Sequence, residues 1–181
     1  MAGEGAVEPI STDTRFLMEA KVRAELSAAD ALCPGSAAIA GTGSLTPAVL
    51  LVKGTAGEAD ISAGVALAGA DGEAARKALD ALDVTGPLYA VCSRTVPVCG
   101  PAETGSRLRL IIEALDPSLA VALDREAAED ISSALGIPAL PFGETVSLPG
   151  RTLLAVDGLE ASLAGDRKAV VWQQFRGLRR T

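Results

Sequence analysis

The sequence contains no histidine. Ser-His-Asp and Cys-His catalysis are therefore excluded, as is every metal site built on imidazole. Aromatic residues are scarce, at 3% of 181 residues, so the core must be packed from alanine, leucine and valine. Cysteines number three: Cys33, Cys92 and Cys99. An odd count in a chain of ordinary size implies no disulfide framework and leaves a reducing, cytoplasmic setting as the default. The apolar runs are short, well below the ~20 residues of a membrane span. The first residues, MAGEGAVEPI, lack a basic region followed by an apolar stretch and do not read as a signal peptide. Residues 1–11 are expected to be flexible.

The length suits one domain, residues 1–181, with a substantial core. A hydrophobic content of 49%, with 19 glycines and 10 prolines, is neither disordered nor collagen-like. The net charge of −7 is uneven: residues 151–181 carry six basic and three acidic residues, leaving ten basic and twenty acidic residues in the first 150. An acidic body disfavours tight, sequence-independent DNA binding, which depends on Lys/Arg contacts to phosphate. It favours a protein partner, with DNA binding at most weak. Arg176, Arg179 and Arg180 are the candidate phosphate contacts. Their plainer reading is a basic helix end favoured by the macrodipole.

Local signals divide the chain into alternating elements. Ser11 or Thr12 can cap a helix to about Leu32, with Phe16, Leu17, Ala20, Ala24 and Ala28 as its apolar face. A short strand is expected at Ala37–Ala40, and a turn at Ala40-Gly41-Thr42-Gly43-Ser44, a weak match to a dinucleotide loop. Ala48–Val52 is all apolar, as a strand buried on both faces should be. A long glycine-bearing loop from Lys53 to Asp71 follows, then a helix at Asp71–Leu82 and a strand at Leu88–Cys92. Beyond these lie a helix at Glu103–Leu115, a strand at Ser118–Leu123 and a helix at Arg125–Leu135, stopped by Gly136 and Pro138. Thr145–Leu148 and Thr152–Val156 pair around Pro149-Gly150. A closing helix spans Asp166–Leu178, with Val170, Val171, Phe175 and Leu178 on one side and Trp172 in the core. Alternation of this kind implies a parallel sheet between helical layers.

The stretch Lys53-Gly54-Thr55-Ala56-Gly57, Glu58-Ala59-Asp60, Gly64-Val65-Ala66-Leu67-Ala68-Gly69 has a distinctive frame. In layout it resembles the first catalytic motif of the uracil-DNA glycosylase superfamily. The resemblance is strongest to the iron–sulfur bacterial and archaeal type and covers about residues 15–178. In that type the strand ends in Gly-Glu-Ala-Pro-Gly, followed by Glu-x-Glu-Asp and Gly-x-Pro-Phe-x-Gly. Gly57, Gly64, Gly69 and Gly72 keep the glycine frame. Gly54 stands where the family orients the attacking water, and Leu67 where an aromatic stacks on the flipped base. Cys92 replaces the base-reading Asn at the next strand end. Asp157, in Ala155-Val156-Asp157-Gly158, replaces the histidine of the Thr-Tyr-His-Pro loop. The segment from Leu115 to Asp124 matches a scaffold strand. Of the cluster ligands, only Cys33 keeps its sulfur in Asp30-Ala31-Leu32-Cys33-Pro34. Val96 and Thr104 stand at the third and fourth positions, with Cys99 nearby. Such a cluster needs four thiolates, so no iron–sulfur cluster, metal or other cofactor is expected.

The resemblance implies a three-layer α/β/α sandwich around a mainly parallel four-stranded sheet. It also implies a setting in DNA repair or replication. Base excision needs a flipped nucleotide, edge-reading hydrogen bonds, stacking and stabilisation of the leaving base. With those groups replaced, the leading expectation is a catalytically degenerate, non-enzymatic binding or interaction module. One alternative is an active glycosylase with displaced residues, using Glu58, Asp60 or Asp157 as a relocated carboxylate base beside a pocket bounded by Leu67 and Cys92. The vestigial site positions are thus Gly54, Thr55, Glu58, Asp60 and Asp157. The plainer reading makes Glu58 and Asp60 solvated loop acids, Asp157 a helix cap, and Cys92 a buried structural thiol. A second alternative is a small-molecule or nucleotide-binding α/β protein, whose ligand would lie at the carboxyl ends of the strands.

Overall fold

The computed structural model describes residues 12–180, with the backbone alone at Arg180. The expectations for residues 1–11, including Ser11 as a cap, lie outside the described residues. The described residues form seven α-helices and six strands: α1 Thr12–Asp30, β1 Thr42–Gly43, β2 Val49–Lys53, α2 Glu58–Ala63, α3 Ala70–Asp80, β3 Leu88–Cys92, α4 Pro101–Leu115, β4 Leu119–Ala122, α5 Arg125–Leu135, β5 Thr145–Leu148, β6 Arg151–Ala155, α6 Leu159–Leu163 and α7 Lys168–Phe175. A 3-10 segment, Arg176–Arg180, follows α7.

The strands form one mixed sheet in the order β1-β3-β2-β4-β6-β5. The four central strands are mutually parallel, with Leu51 opposite Ala90 on one side and Val121 on the other. The sheet has six strands where four were expected. Both additions are antiparallel edge strands: β1 against β3, and β5 in a hairpin with β6. Short edge strands of this kind end a sheet with little open ladder for another chain to pair with. The strand expected at Ala37–Ala40 is reduced to two isolated bridges, Ala37 with Val96 and Ala40 with Val65.

The central strands are apolar at nearly every position because both faces are covered. Leu50 and Val52 of β2 point into a cluster with residues of α1, α4 and α5. Val49 and Leu51 point the other way, into a cluster with α3, α6 and α7. This period of two follows from the pleat. Helix ends obey local chemistry. Pro101 opens α4 at its first turn. The Asp124 carboxylate accepts the Ala127 amide at the start of α5, and Gly136, at φ 64°, closes that helix.

Two sequence expectations about faces are corrected. Phe16 and Leu17 of α1 are 71% and 67% exposed, and the residues that α1 buries are Val22 and Ala29. The core-facing stripe is 22, 26 and 29, because α1 docks on α4 by its carboxyl half only. Trp172 is 37% exposed and Val170 50%, whereas Val171 and Phe175 carry the packing of α7. Among the described residues no helix is long and apolar enough to cross a membrane.

Candidate functional site

The chain leaves β2 toward β3 on one side and reaches β4 on the other. Open α/β sheets bind ligands beyond the carboxyl ends of their strands at such a reversal. Here a cleft of about 420 Å³ opens there, lined among others by Lys53, Thr55, Asp124, Glu126, Asp157 and Glu160.

Lys53 is the last residue of β2 and, unlike the four apolar residues before it, carries charge into the interior. Its Nζ lies 2.8 Å from Asp60, 2.7 Å from Asp71 and 2.9 Å from Glu160. An ammonium has three donors, and all three are engaged. Burial works against the charge on Lys53, but the three carboxylates outweigh it and hold its pKa above the ordinary lysine value. Asp60 is fully buried and also accepts the amides of Gly57 and Ala68. Burial alone would raise its pKa; Lys53 and those amides pull it below the ordinary carboxylate value. A carboxylate so saturated is a poor general base, since the ideal base titrates near the working pH. Asp60 is thus a buried ion-pair partner where a solvated loop acid was expected. The region expected as a plain loop contains α2, and Glu58 is exposed in its first turn, outside the cleft lining.

Gly54 has no room for a side chain. A Cβ there would overlap the Glu126 side chain and lie 2.9 Å from Asp124. The Gly54 amide donates to Asp124 at 2.9 Å. Burial pushes the Asp124 carboxyl above its ordinary pKa. The Thr55 hydroxyl donates to Glu126 at 2.7 Å, and Glu126 in turn meets Arg94 at 3.1 Å. Asp157 does not cap the following helix: Gly158 takes the cap position of α6. The Asp157 carboxylate is held by Arg167 at 2.7 Å and Arg125 at 3.4 Å.

Leu67 and Cys92 are 2% and 1% exposed, packed in the cluster beneath α3, α6 and α7. Neither lines the cleft. Leu67 adopts the left-handed conformation, φ 54°, which is uncommon for a residue with a branched side chain. Gly72 packs onto its carbonyl, where a Cβ would collide. The glycine frame therefore shapes the turn that inserts Leu67 into the core. Burial pushes the Cys92 thiol up to about 12, so it is no thiolate nucleophile at neutral pH. Of the basic tail, Arg179 donates to the Ala81 carbonyl at the end of α3, and Arg176 lies beside Gln173. The side chain of Arg180 lies outside the described residues.

The cysteine expectation is also corrected. Cys33 and Cys99 are joined in a disulfide, leaving Cys92 free and buried. The odd count is one pair and one core thiol, so cysteine usage does not fix the compartment. The segments aligned with cluster ligands do converge: Thr104 lies 3.6 Å from the Cys99 sulfur, and Val96 bridges Ala37, four residues past Cys33. Among the described residues no group of three or more His, Cys, Asp or Glu side chains is placed to hold a metal ion.

The sequence pointed to this end of the sheet but missed Lys53 as its centre, and Asp124, Glu126 and Glu160 as its lining. The available signal was a lysine closing an otherwise apolar strand. No protein-family model matches the chain, and no curated protein matches it.

Proposed function

We propose that the chain is a three-layer, uracil-DNA glycosylase-type fold that no longer excises bases. It acts in DNA repair or replication as an interaction module for a protein partner. The observation that carries this reading is the filling of the base-handling positions. Gly54 is closed over by Asp124 and Glu126, and Leu67 and Cys92 are sealed in the core. The parallel strand order β3-β2-β4-β6, the cleft at the reversal and the convergence of Cys33, Val96 and Thr104 support the superfamily resemblance. Loss of an electrostatic donor alone costs on the order of 10²–10³ in rate. Replacement of stack, edge reader, water positioner and histidine together leaves little catalysis, although such losses do not add. The acidic body and the exposed Phe16 and Leu17 on α1 favour a protein surface as the partner.

The test is incubation of the purified chain with single- and double-stranded uracil oligonucleotides, with abasic sites as the readout. No abasic sites above the protein-free control are expected. Robust turnover that Asp157→Ala abolishes would overturn the reading in favour of a glycosylase with displaced residues.

A further inference from the structure

A polar recess lies away from the cleft, between the carboxyl half of α1 and the segment around β1. It encloses about 350 Å³, within the roughly 300–1,000 Å³ typical of small-molecule sites. Arg23, Ser27 and Asp30 line one wall, and Gly41 and Leu45 the other. Spacings of four and three residues put the first three on one stripe of the helix.

Tyr89 forms the floor and is 7% exposed. Its ring lies against Gly41, where a Cβ would sit 2.6 Å from the ring carbon bearing the hydroxyl. The turn at Ala40-Gly41-Thr42-Gly43-Ser44 thus needs a glycine at 41 to admit the ring. Among the described residues the Tyr89 hydroxyl has no hydrogen-bond partner. No buried side-chain oxygen or nitrogen lacks a partner among the described residues, so this hydroxyl opens onto the recess and is free to meet a ligand there. Beneath the recess, Asp30, Tyr89 and Arg107 bound a notch of about 20 Å³, enough for one hydroxyl-sized group. Arg107 spends two nitrogens on Asp30 Oδ1 and a third on the carbonyls of Cys92 and Ser93. Asp30 Oδ2 remains open as an acceptor. Arg23 has no carboxylate partner among the described residues.

We propose that this recess binds a small hydroxylated anion of the sugar-phosphate or sugar-acid class. Its anionic group rests on Arg23 and Ser27, and one of its hydroxyls enters the notch between Asp30 and Tyr89. A guanidinium and a hydroxyl suit an oxyanion. A ligand hydroxyl can donate to Asp30 and accept from Tyr89 in place of water. Arg23 and Asp30 are seven residues apart, about 10 Å at the helical rise, a span that a phosphorylated or oxidised hexose matches. The inference does not rest on the interaction-module reading.

Calorimetric titration of the full chain with glucose 6-phosphate, gluconate, glucose and inorganic phosphate tests it, alongside Tyr89→Phe and Arg23→Gln. Both variants should keep the wild-type melting temperature, because neither altered group has a protein partner. Glucose 6-phosphate or gluconate should bind, and which of them binds tells phosphate from carboxylate. Glucose and inorganic phosphate should bind at least about tenfold more weakly, and each variant should lose about tenfold, or 1.4 kcal/mol. The proposal is overturned by no heat from any probe at about 10 mM. It is equally overturned by binding that both variants leave intact, or by inorganic phosphate binding as tightly as glucose 6-phosphate.

Discussion

At the scale of single residues, Lys53 decides the character of the cleft. Its ammonium neutralises Asp60 and Asp71, which are both buried. Removing one partner of a buried pair strands the others, and that costs about 3–5 kcal/mol. Lys53→Met keeps most of the side-chain volume and should lower unfolding free energy by that amount at pH 7. Glu160, with its side chain 58% exposed, contributes little by comparison, since exposed pairs give about 0–1 kcal/mol. The deficit should depend on pH. In the wild type the lowered pKa of Asp60 contributes stability above its unfolded value of about 4 and loses it as pH falls through the folded value. Lys53, with a raised pKa, contributes below about 10.4 and loses that contribution as pH rises through its folded value. In the variant, Asp60 loses its counter-charge while burial still works against its charged form, so the folded state gains from protonation of Asp60 as pH falls. Denaturant titrations between about pH 7 and 4 should therefore show the gap between variant and wild type narrowing. A gap that stays constant would mean that the Asp60 carboxylate does not feel Lys53.

At the scale of elements, α1 separates spacing from packing. Two apolar stripes run along it, and the larger side chains, Phe16 and Leu17, lie on the one that faces out. Phe16→Ala and Leu17→Ala should each change unfolding free energy by no more than about 0.5 kcal/mol, as surface substitutions do. Val22→Ala should cost about 1–2 kcal/mol, from roughly 0.8 per buried methylene. A large loss at Phe16 in denaturant unfolding would reverse the assignment of faces. Sequence patterns gave β3 and α5 to the residue and the β5–β6 hairpin within one. Those elements carry their own signals: an all-apolar run, an acidic cap with a closing glycine, and a Pro-Gly turn. The helices α2 and α6, of six and five residues, are too short to show a period. The orientation of α1 depends on α4, which lies some seventy residues further along and cannot be read from the helix itself. The same holds for the site. Lys53 is visible as a charge after an apolar run, but its partners Asp60, Asp71 and Glu160 are 7, 18 and 107 residues away.

At the scale of the whole molecule, the disulfide is the longest-range covalent constraint. It joins the end of α1 to the segment entering α4, with Cα atoms 5.8 Å apart across 66 residues of chain. That loop encloses β1, β2, α2, α3 and β3, so the bond restricts more than a third of the unfolded chain. In the chain-entropy picture, closing a loop of this length is worth about 4 kcal/mol. Two other ties already span the same junction: Arg107 pairs with Asp30 at 2.8 Å, and Ala37 exchanges backbone hydrogen bonds with Val96 at 2.9 and 3.0 Å. Those ties preserve the native docking of α1 when the sulfurs part, so reduction should loosen stability without changing the fold. For a domain of this size about 4 kcal/mol corresponds to a melting-temperature loss of roughly 8–16 °C. A dithiol reductant should therefore lower the melting temperature of the wild type while its circular dichroism at 25 °C stays unchanged. The double variant Cys33→Ser, Cys99→Ser should melt at the reduced value and ignore the reductant. Cys92→Ser, which leaves the pair intact, should retain the reductant-dependent shift. A wild-type melting curve that reductant does not move would mean that the two thiols are neighbours without a bond, and that Arg107, the Val96 bridge and the packing of α1 on α4 hold that helix in place.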